Sequence, residues 1–488
     1  MSLYKSSMWS IIQTIATQIV TLVSNVLLAR LLAPEVFGLL GMATLFTGLI
    51  IIIQEVGVSS YLIYKQGINE EFLSTITKMN LILSLLLASL LYYFSYPIAE
   101  FYNTPEIESI IKYISLGVVL GSFGITTRAI LQKEMKFKKI AQIDVVAEVI
   151  TTIASVALAI YGYSLLAITS KLLFRPAIQS VLFLRSGGFK HLISRAFRFD
   201  ILRDMFNYSY KVLGGQILVY FSGICDYFLI GKFMGSRELG LYTMAFNWSF
   251  IVRNLISYAV SKAVFSEFSK LQDNLIVLSE KYLKLIKIMA FFLMPICIGL
   301  SYVASEFINI LYGQEWKESI ELLQVLMIAG LFSGISTMSN SLFKSIGRPD
   351  LEIKLYSIAI VFIIIFVYLG SIYGLLGVCY AMLIVNVGIF FVRSIMSCKL
   401  LNISILSYFK SFTPSLICTL SMFGIHLILK LSIFTLLNEL VNLCISVIIS
   451  IVSYIILSYY FNRECYNLVL PRIIAVRTKL SRRTERAY

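Results

Sequence analysis

Apolar residues run in blocks of about 20 from Trp9 to Tyr460, separated by short polar or turn-rich breaks. A helix rising 1.5 Å per residue needs roughly 20 residues to cross a hydrocarbon core of about 30 Å. Lipid offers no partner to a loose backbone N–H or C=O, so blocks of this length are read as membrane-crossing helices. Cutting at the breaks predicts fourteen spans, near 8–32, 37–63, 78–99, 107–131, 140–160, 164–184, 207–234, 240–266, 283–304, 319–343, 352–371, 374–398, 408–430 and 434–461. The first block follows only Lys5, shows no small-residue cleavage site and leads at once into a second block, so it reads as a retained helix rather than a signal peptide.

The breaks carry the orientation. With the N-terminus placed inside, Lys133, Lys136, Lys138, Lys139, Arg185, Lys190, Arg195, Arg198 and Arg203 fall in inward connections. Arg463, Arg472, Arg477, Lys479, Arg482, Arg483 and Arg486 lie in the tail. The outward loops hold chiefly Lys232, Arg237, Lys317 and Lys430, beside Glu100, Glu106, Glu306, Glu315 and Glu318. The positive-inside rule then puts both termini in the cytoplasm, which an even number of spans permits. It also accounts for the net charge of +15 without a nucleic-acid partner. The longest outward loop, near 304–318, leaves little room for a folded external domain. The basic 185–206 connection suits either anionic headgroups or a partner.

Within the apolar pattern lies a repeat. Phe37-Gly38-Leu39 with Met42-Ala43 returns as Leu239-Gly240-Leu241 with Met244-Ala245, an offset of 202. Glu108-Ser109-Ile110 returns as Glu318-Ser319-Ile320, and Gly124-Ile125-Thr126-Thr127 as Gly334-Ile335-Ser336-Thr337, both at 210. Tyr161-Gly162 returns as Tyr373-Gly374 at 212. Landmarks in register predict two copies of a six-helix unit, related by an axis along the membrane normal, with the substrate cavity between them and alternating access as the mechanism. The expected organisation is an N-lobe over 1–186, a basic cytoplasmic linker over 187–206, a C-lobe over 207–400, two further helices over 401–461 and a basic tail over 462–488.

Composition narrows the chemistry. Of 488 residues 58% are hydrophobic and only 14% charged, which fits an all-α integral membrane protein. Cys225, Cys297, Cys379, Cys398, Cys418, Cys444 and Cys465 stand singly, so neither a disulfide framework nor a zinc site is expected. His191 and His426 are too few for H-E-x-x-H, and neither phosphate-cradling glycine motif occurs. No catalytic residue, metal or cofactor is therefore predicted, and the chain does not read as an ATPase.

The stretch Leu28-Ala29-Arg30-Leu31-Leu32-Ala33-Pro34-Glu35-Val36-Phe37-Gly38-Leu39, followed by Glu55-Val56-Gly57-Val58-Ser59-Ser60, closely resembles the opening of Wzx-type polysaccharide flippases. These belong to the multidrug/oligosaccharidyl-lipid/polysaccharide superfamily. Leu342-Phe343-Lys344-Ser345-Ile346-Gly347-Arg348-Pro349 is similar to the segment after helix 10 of that family. The resemblance implies a bacterial inner-membrane protein that moves undecaprenyl-pyrophosphate-linked oligosaccharide to the periplasmic leaflet for O-antigen, capsule or exopolysaccharide. Lipid-linked oligosaccharide and membrane lipids would be its partners, with other polysaccharide-assembly proteins as further candidates. Three rivals stand beside it: a lipid II flippase and a multidrug exporter, both of the same fold, and a membrane polymerase or ligase, against which the short outward loops argue.

A diphosphate headgroup is anionic and strongly hydrated, so a wet cavity with fixed positive charge is expected. Lys171 and Arg175 lie four apart on helix 6, hence on one face, and Arg253 sits mid-helix on helix 8. These three are the predicted substrate-binding cations, with snorkelling to the interface as the competing role. Arg128 reads as an ordinary inner-end cation. Asp226, Asp144, Glu148 and Glu55 are intramembrane carboxylates suited either to coupling H+ or Na+ or to pairing with those cations. Tyr208, Tyr210, Tyr220, Tyr227 and Trp248 suit either packing or stacking on sugars.

Overall fold

The computed structural model describes residues 3–188, 190, 197–432 and 438–468. Most of the basic tail, and Arg195 with its neighbours in the linker, lie outside the described residues. Among the described residues all regular structure is helical, and fourteen helices reach 20 residues or more. They are α1 Leu3–Leu31, α2 Pro34–Gln54, α3 Glu70–Tyr93, α4 Glu106–Lys133, α5 Phe137–Ile160, α6 Ser164–Phe183, α7 Phe199–Phe233, α8 Ser236–Ser269, α9 Leu275–Tyr302, α10 Ser319–Ser345, α11 Pro349–Ser371, α12 Gly374–Leu401, α13 Ile405–Ser432 and α14 Glu439–Phe461. Thirteen spans are long and apolar enough to cross a membrane, which makes this a multi-pass membrane protein. Helix α8 is not among the thirteen; Arg237, Glu238, Arg253, Lys262 and Glu267 interrupt its apolar windows.

Local chemistry sets the ends. Pro34 opens α2 where its missing N–H costs nothing, and the Asn69 side chain accepts from Phe72 N to cap α3. Asn274 caps α9 in the same way. The turn between α5 and α6 passes through Gly162 at φ +84°, a left-handed conformation glycine adopts without a Cβ penalty. One break is invisible in the apolar pattern. Helix α2 runs on through a π-helical turn at Glu55–Ser60 into a last turn, Tyr61–Tyr64.

The chain forms two compact units. The first comprises Met1–Met244 with Tyr356–Val378, and in it α5 packs against α1 and α6, and α4 against α3 and α6. Glycines let α4 approach α6: a Cβ at Gly124 would lie 3.0 Å from Ser180 Cα, and one at Gly117 would press on Leu172 O. At the start of α2 a Cβ on Gly38 would overlap Ser236 O, while one on Gly240 would overlap Pro34 O. Gly240 and Ser236 are the repeat counterparts of Gly38 and Pro34. The contact is therefore reciprocal, i to j′ and j to i′, the signature of a local twofold between the openings of α2 and α8.

The second unit comprises Ala245–Leu355 with Cys379–Tyr488, where α9 packs against α10 and α13. Gly330 and Gly334, one turn apart on α10, face Ser249 and Arg253 of α8. Ser249 Oγ donates to Leu326 O at 2.8 Å across the same seam. Tyr282, Tyr408 and Phe390 are fully buried nearby, with Tyr282 Oη 3.0 Å from Ser339 Oγ.

Candidate functional site

In the first unit, α1, α2, α4, α5 and α6 line a cavity of about 640 Å³. Lys171 and Arg175 reach it from α6, Arg128 from α4, Glu148 from α5, Glu55 from the π-helical turn, and Thr21 and Asn25 from α1. At the entry to the π-helical turn Gln54 is buried, donating to Ser84 Oγ at 2.7 Å, while Glu55, the next residue, is exposed.

Two buried carboxylates on α5 organise the cations. Asp144 and Glu148 stand one turn apart, and each side chain is only 3% exposed. Asp144 Oδ2 accepts from Arg128 Nη2 at 3.2 Å and from Gln13 Nε2, and Oδ1 accepts from Gln179 Nε2 at 2.8 Å. Glu148 Oε1 accepts from Thr21 Oγ1 at 2.9 Å, and Oε2 lies 3.0 Å from Arg175 Nη1. Lys171 Nζ donates to Asn25 Oδ1 at 3.4 Å and shares the field of Glu148 and Arg175.

The two guanidinium groups are 35% and 41% exposed, so each is gripped from behind by a carboxylate and keeps open N–H donors. Burying a bare charge in this environment would cost several kcal/mol, which is why each cation comes with its partner. Three cations face three carboxylates once Asp144 and Glu55 are included. The arrangement presents oriented, charge-assisted donors to a ligand while keeping the empty cavity neutral.

The sequence-predicted residues thus divide. Lys171, Arg175, Glu148 and Glu55 line one cavity, with Asp144 directly behind it. Arg253 lies in the second unit, where Nη1 donates to Ser333 Oγ at 2.9 Å and the guanidinium stands 4.9 Å from the Phe250 ring centroid. Asp226 is buried on α7, two turns before its end, accepting from Tyr242 Oη of α8 at 2.6 Å and from Tyr227 N at 3.0 Å. Neither lines this cavity.

Arg128, read from the sequence as an inner-end cation, is part of the wall, and so is Gln179. A signal for Gln179 exists: Lys171, Arg175 and Gln179 recur every four residues and form one polar stripe on α6. None marks Arg128, whose partner is set by the packing of α4 near α5.

The candidate sugar-stacking aromatics have protein partners. Tyr208 stacks on Tyr64 at 4.8 Å, Tyr227 meets Tyr242 edge-on, and Trp248 Nε1 donates to Tyr312 Oη at 2.7 Å. Tyr220 Oη donates to Leu45 O at 2.6 Å, filling the space over Gly48. Burial pushes the Tyr312 hydroxyl up to about 12, so it stays a neutral acceptor for the indole.

Known proteins share this chain's fold and sequence pattern. The chain is similar to the lipopolysaccharide biosynthesis protein WzxC of Escherichia coli (strain K12), 24% identical over 383 residues that cover 78% of this chain and 77% of that one. It is similar to the teichuronic acid biosynthesis protein TuaB of Bacillus subtilis (strain 168), 26% identical over 439 residues, 86% of this chain and 88% of that one. Among solved structures it shares the fold of the lipid II flippase MurJ in an inward closed conformation, with a TM-score of 0.76, 19% identity, and coverage of 94% of this chain and 99% of that one. The profile of the family described as "Polysaccharide biosynthesis protein" matches residues 27–321, and with that match over more than half its length the chain belongs to this family.

Proposed function

We propose that this chain is a flippase that carries undecaprenyl-pyrophosphate-linked oligosaccharide repeat units from the cytoplasmic to the periplasmic leaflet of a bacterial inner membrane, for O-antigen, capsule or exopolysaccharide, by alternating access. Both termini would lie in the cytoplasm. The observation that carries this reading is the cavity in which Arg128, Lys171 and Arg175 keep open donors. A diphosphate crossing the bilayer must exchange its hydration shell for fixed donors, and a guanidinium fork can hold two phosphate oxygens at once.

The names of the relatives support the substrate class, and a precursor of lipopolysaccharide or teichuronic acid on an anionic lipid carrier would need such a cationic site. A multidrug exporter for lipophilic cations would want surplus acid in such a cavity, and here three cations balance the three carboxylates, so there is no such surplus. A lipid II flippase would use the same diphosphate chemistry and differs only in the sugar. Coupling to an H+ or Na+ gradient, and docking to other assembly proteins, belong to the same proposal.

The test is complementation of a strain lacking its O-antigen or capsule flippase, scored for surface polysaccharide and for lipid-linked units held inside. Restored polysaccharide supports the reading. Failure across several such strains, with drug resistance conferred instead, refutes it. At the site, Lys171→Ala and Arg175→Ala should abolish complementation while folded protein remains in the membrane. Normal transport by both would remove the cationic cavity from the account.

A further inference from the structure

The two α5 carboxylates resemble each other in sequence but not in how they are held. Asp144 is fastened on both oxygens, by Arg128 and Gln13 on one and Gln179 on the other. Glu148 has a single neutral donor, Thr21 on Oε1, and its other oxygen meets Arg175 with no further hydrogen bond. Asp144 is built as scaffold; Glu148 is built as an occupant. Its Oε2 holds a donor of the kind a phosphate oxygen would take, on a guanidinium that lines the cavity and is 41% exposed.

Resting on the anion-carrier reading above, we propose that Glu148 is the resident counter-ion of the site. In the empty cavity it holds Arg175 and Lys171 in place. When a substrate arrives, its two phosphates take over those cations, and when it leaves, Glu148 takes them back. A transporter needs this second act, because a cavity of bare cations would hold a diphosphate too tightly to release it. The carboxylate makes binding an exchange of one anion for another, so the net charge on the cations changes little and the ligand is held loosely enough to leave. The groups facing the exchange are Thr21 and Asn25 on α1, Lys171 and Arg175 on α6, and Glu55 on the π-helical turn after α2, with Arg128 of α4 paired to Asp144 one turn away.

The experiment measures binding of geranylgeranyl diphosphate to the full-length protein in detergent, beside complementation by the same variants. Glu148→Gln keeps the acceptor for Thr21 and removes the charge. It should bind the probe about tenfold more tightly than wild type, the worth of one charge-assisted contact, yet transport more slowly. Glu148→Asp, which shortens the reach to Arg175, should shift both in the same direction by less. Asp144→Asn is the comparison: it removes the same charge one turn away, behind Arg128 rather than Arg175, and should tighten binding clearly less than Glu148→Gln.

Unchanged or weaker binding by Glu148→Gln, with Arg175→Ala still weakening it, overturns the exchange while leaving the anion cavity standing. Equal tightening by Asp144→Asn also overturns it, because the effect would then be total cavity charge. If Lys171→Ala and Arg175→Ala leave probe binding at the wild-type level, the carrier reading itself falls.

Discussion

Arg128→Gln is the most direct probe of how the site is braced. The substitution removes a guanidinium 3.2 Å from Asp144, a carboxylate only 3% exposed, and leaves that charge buried. Breaking one side of a buried ion pair costs about 3–5 kcal/mol. Asp144 keeps Gln13 and Gln179 as donors, and Arg128 is 35% exposed, so the low end applies, about 3 kcal/mol. Asp144→Asn alone should cost less, because the partner it leaves, Arg128, is 35% exposed and keeps its hydration where it stands. The double variant, with no buried charge to strand, should recover most of the loss, giving a coupling energy of about 2 kcal/mol. Denaturant unfolding of the purified protein followed by intrinsic fluorescence measures all four corners. An Arg128→Gln variant as stable as wild type, or a double variant no better than Arg128→Gln, would refute the claim that Asp144 is held chiefly by this pair.

Other expectations rest on close approaches and caps. Gly38→Ala drives a Cβ into Ser236 O, and Gly240→Ala drives one into Pro34 O; each should cost about 1–3 kcal/mol or more and reduce folded protein on size-exclusion chromatography. Gly214→Ala, in α7 with open space around it, should instead be neutral or stabilising by up to about 1 kcal/mol. Tyr220→Phe loses a hydroxyl that donates to Leu45 O at 2.6 Å and should lower stability by about 1 kcal/mol while keeping the ring over Gly48. Lys133→Met removes an amine that caps Leu62 O at 3.0 Å and Lys65 O after the π-helical turn; faster hydrogen exchange confined to 61–66 is the expected readout.

The spans are legible in the sequence because a bilayer imposes a length, and any block of about 20 apolar residues declares itself. Even α8, too charged to pass a composition test, is legible, since its neighbours fix where it must begin and end. The π-helical turn is not: Glu55–Ser60 carries no proline and one glycine, and whether a helix widens there depends on what packs against it. The repeat carries more than the spans do. Gly38 and Gly240 can be paired from sequence, and the reason glycine stands at both is the reciprocal contact that a Cβ at either would close.

The site divides along the same physical line. Spacing along one helix is visible in a sequence, so Lys171 with Arg175 and Asp144 with Glu148 can each be placed on a face. Which carboxylate meets which cation is decided between helices. A Cβ at Gly121 of α4 would lie 3.0 Å from Pro176 Cβ of α6, and Arg128, two turns further along the closely packed α4, meets Asp144 of α5. Depth in the membrane is the sequence argument for Arg253, and depth does demand compensation. Ser333 and the Phe250 face supply it within the second unit, so a deep cation can be satisfied by its own fold without facing a ligand. The distinguishing feature of Lys171 and Arg175 is then not depth but an incomplete set of partners beside an open cavity, and that is a property only of packed helices.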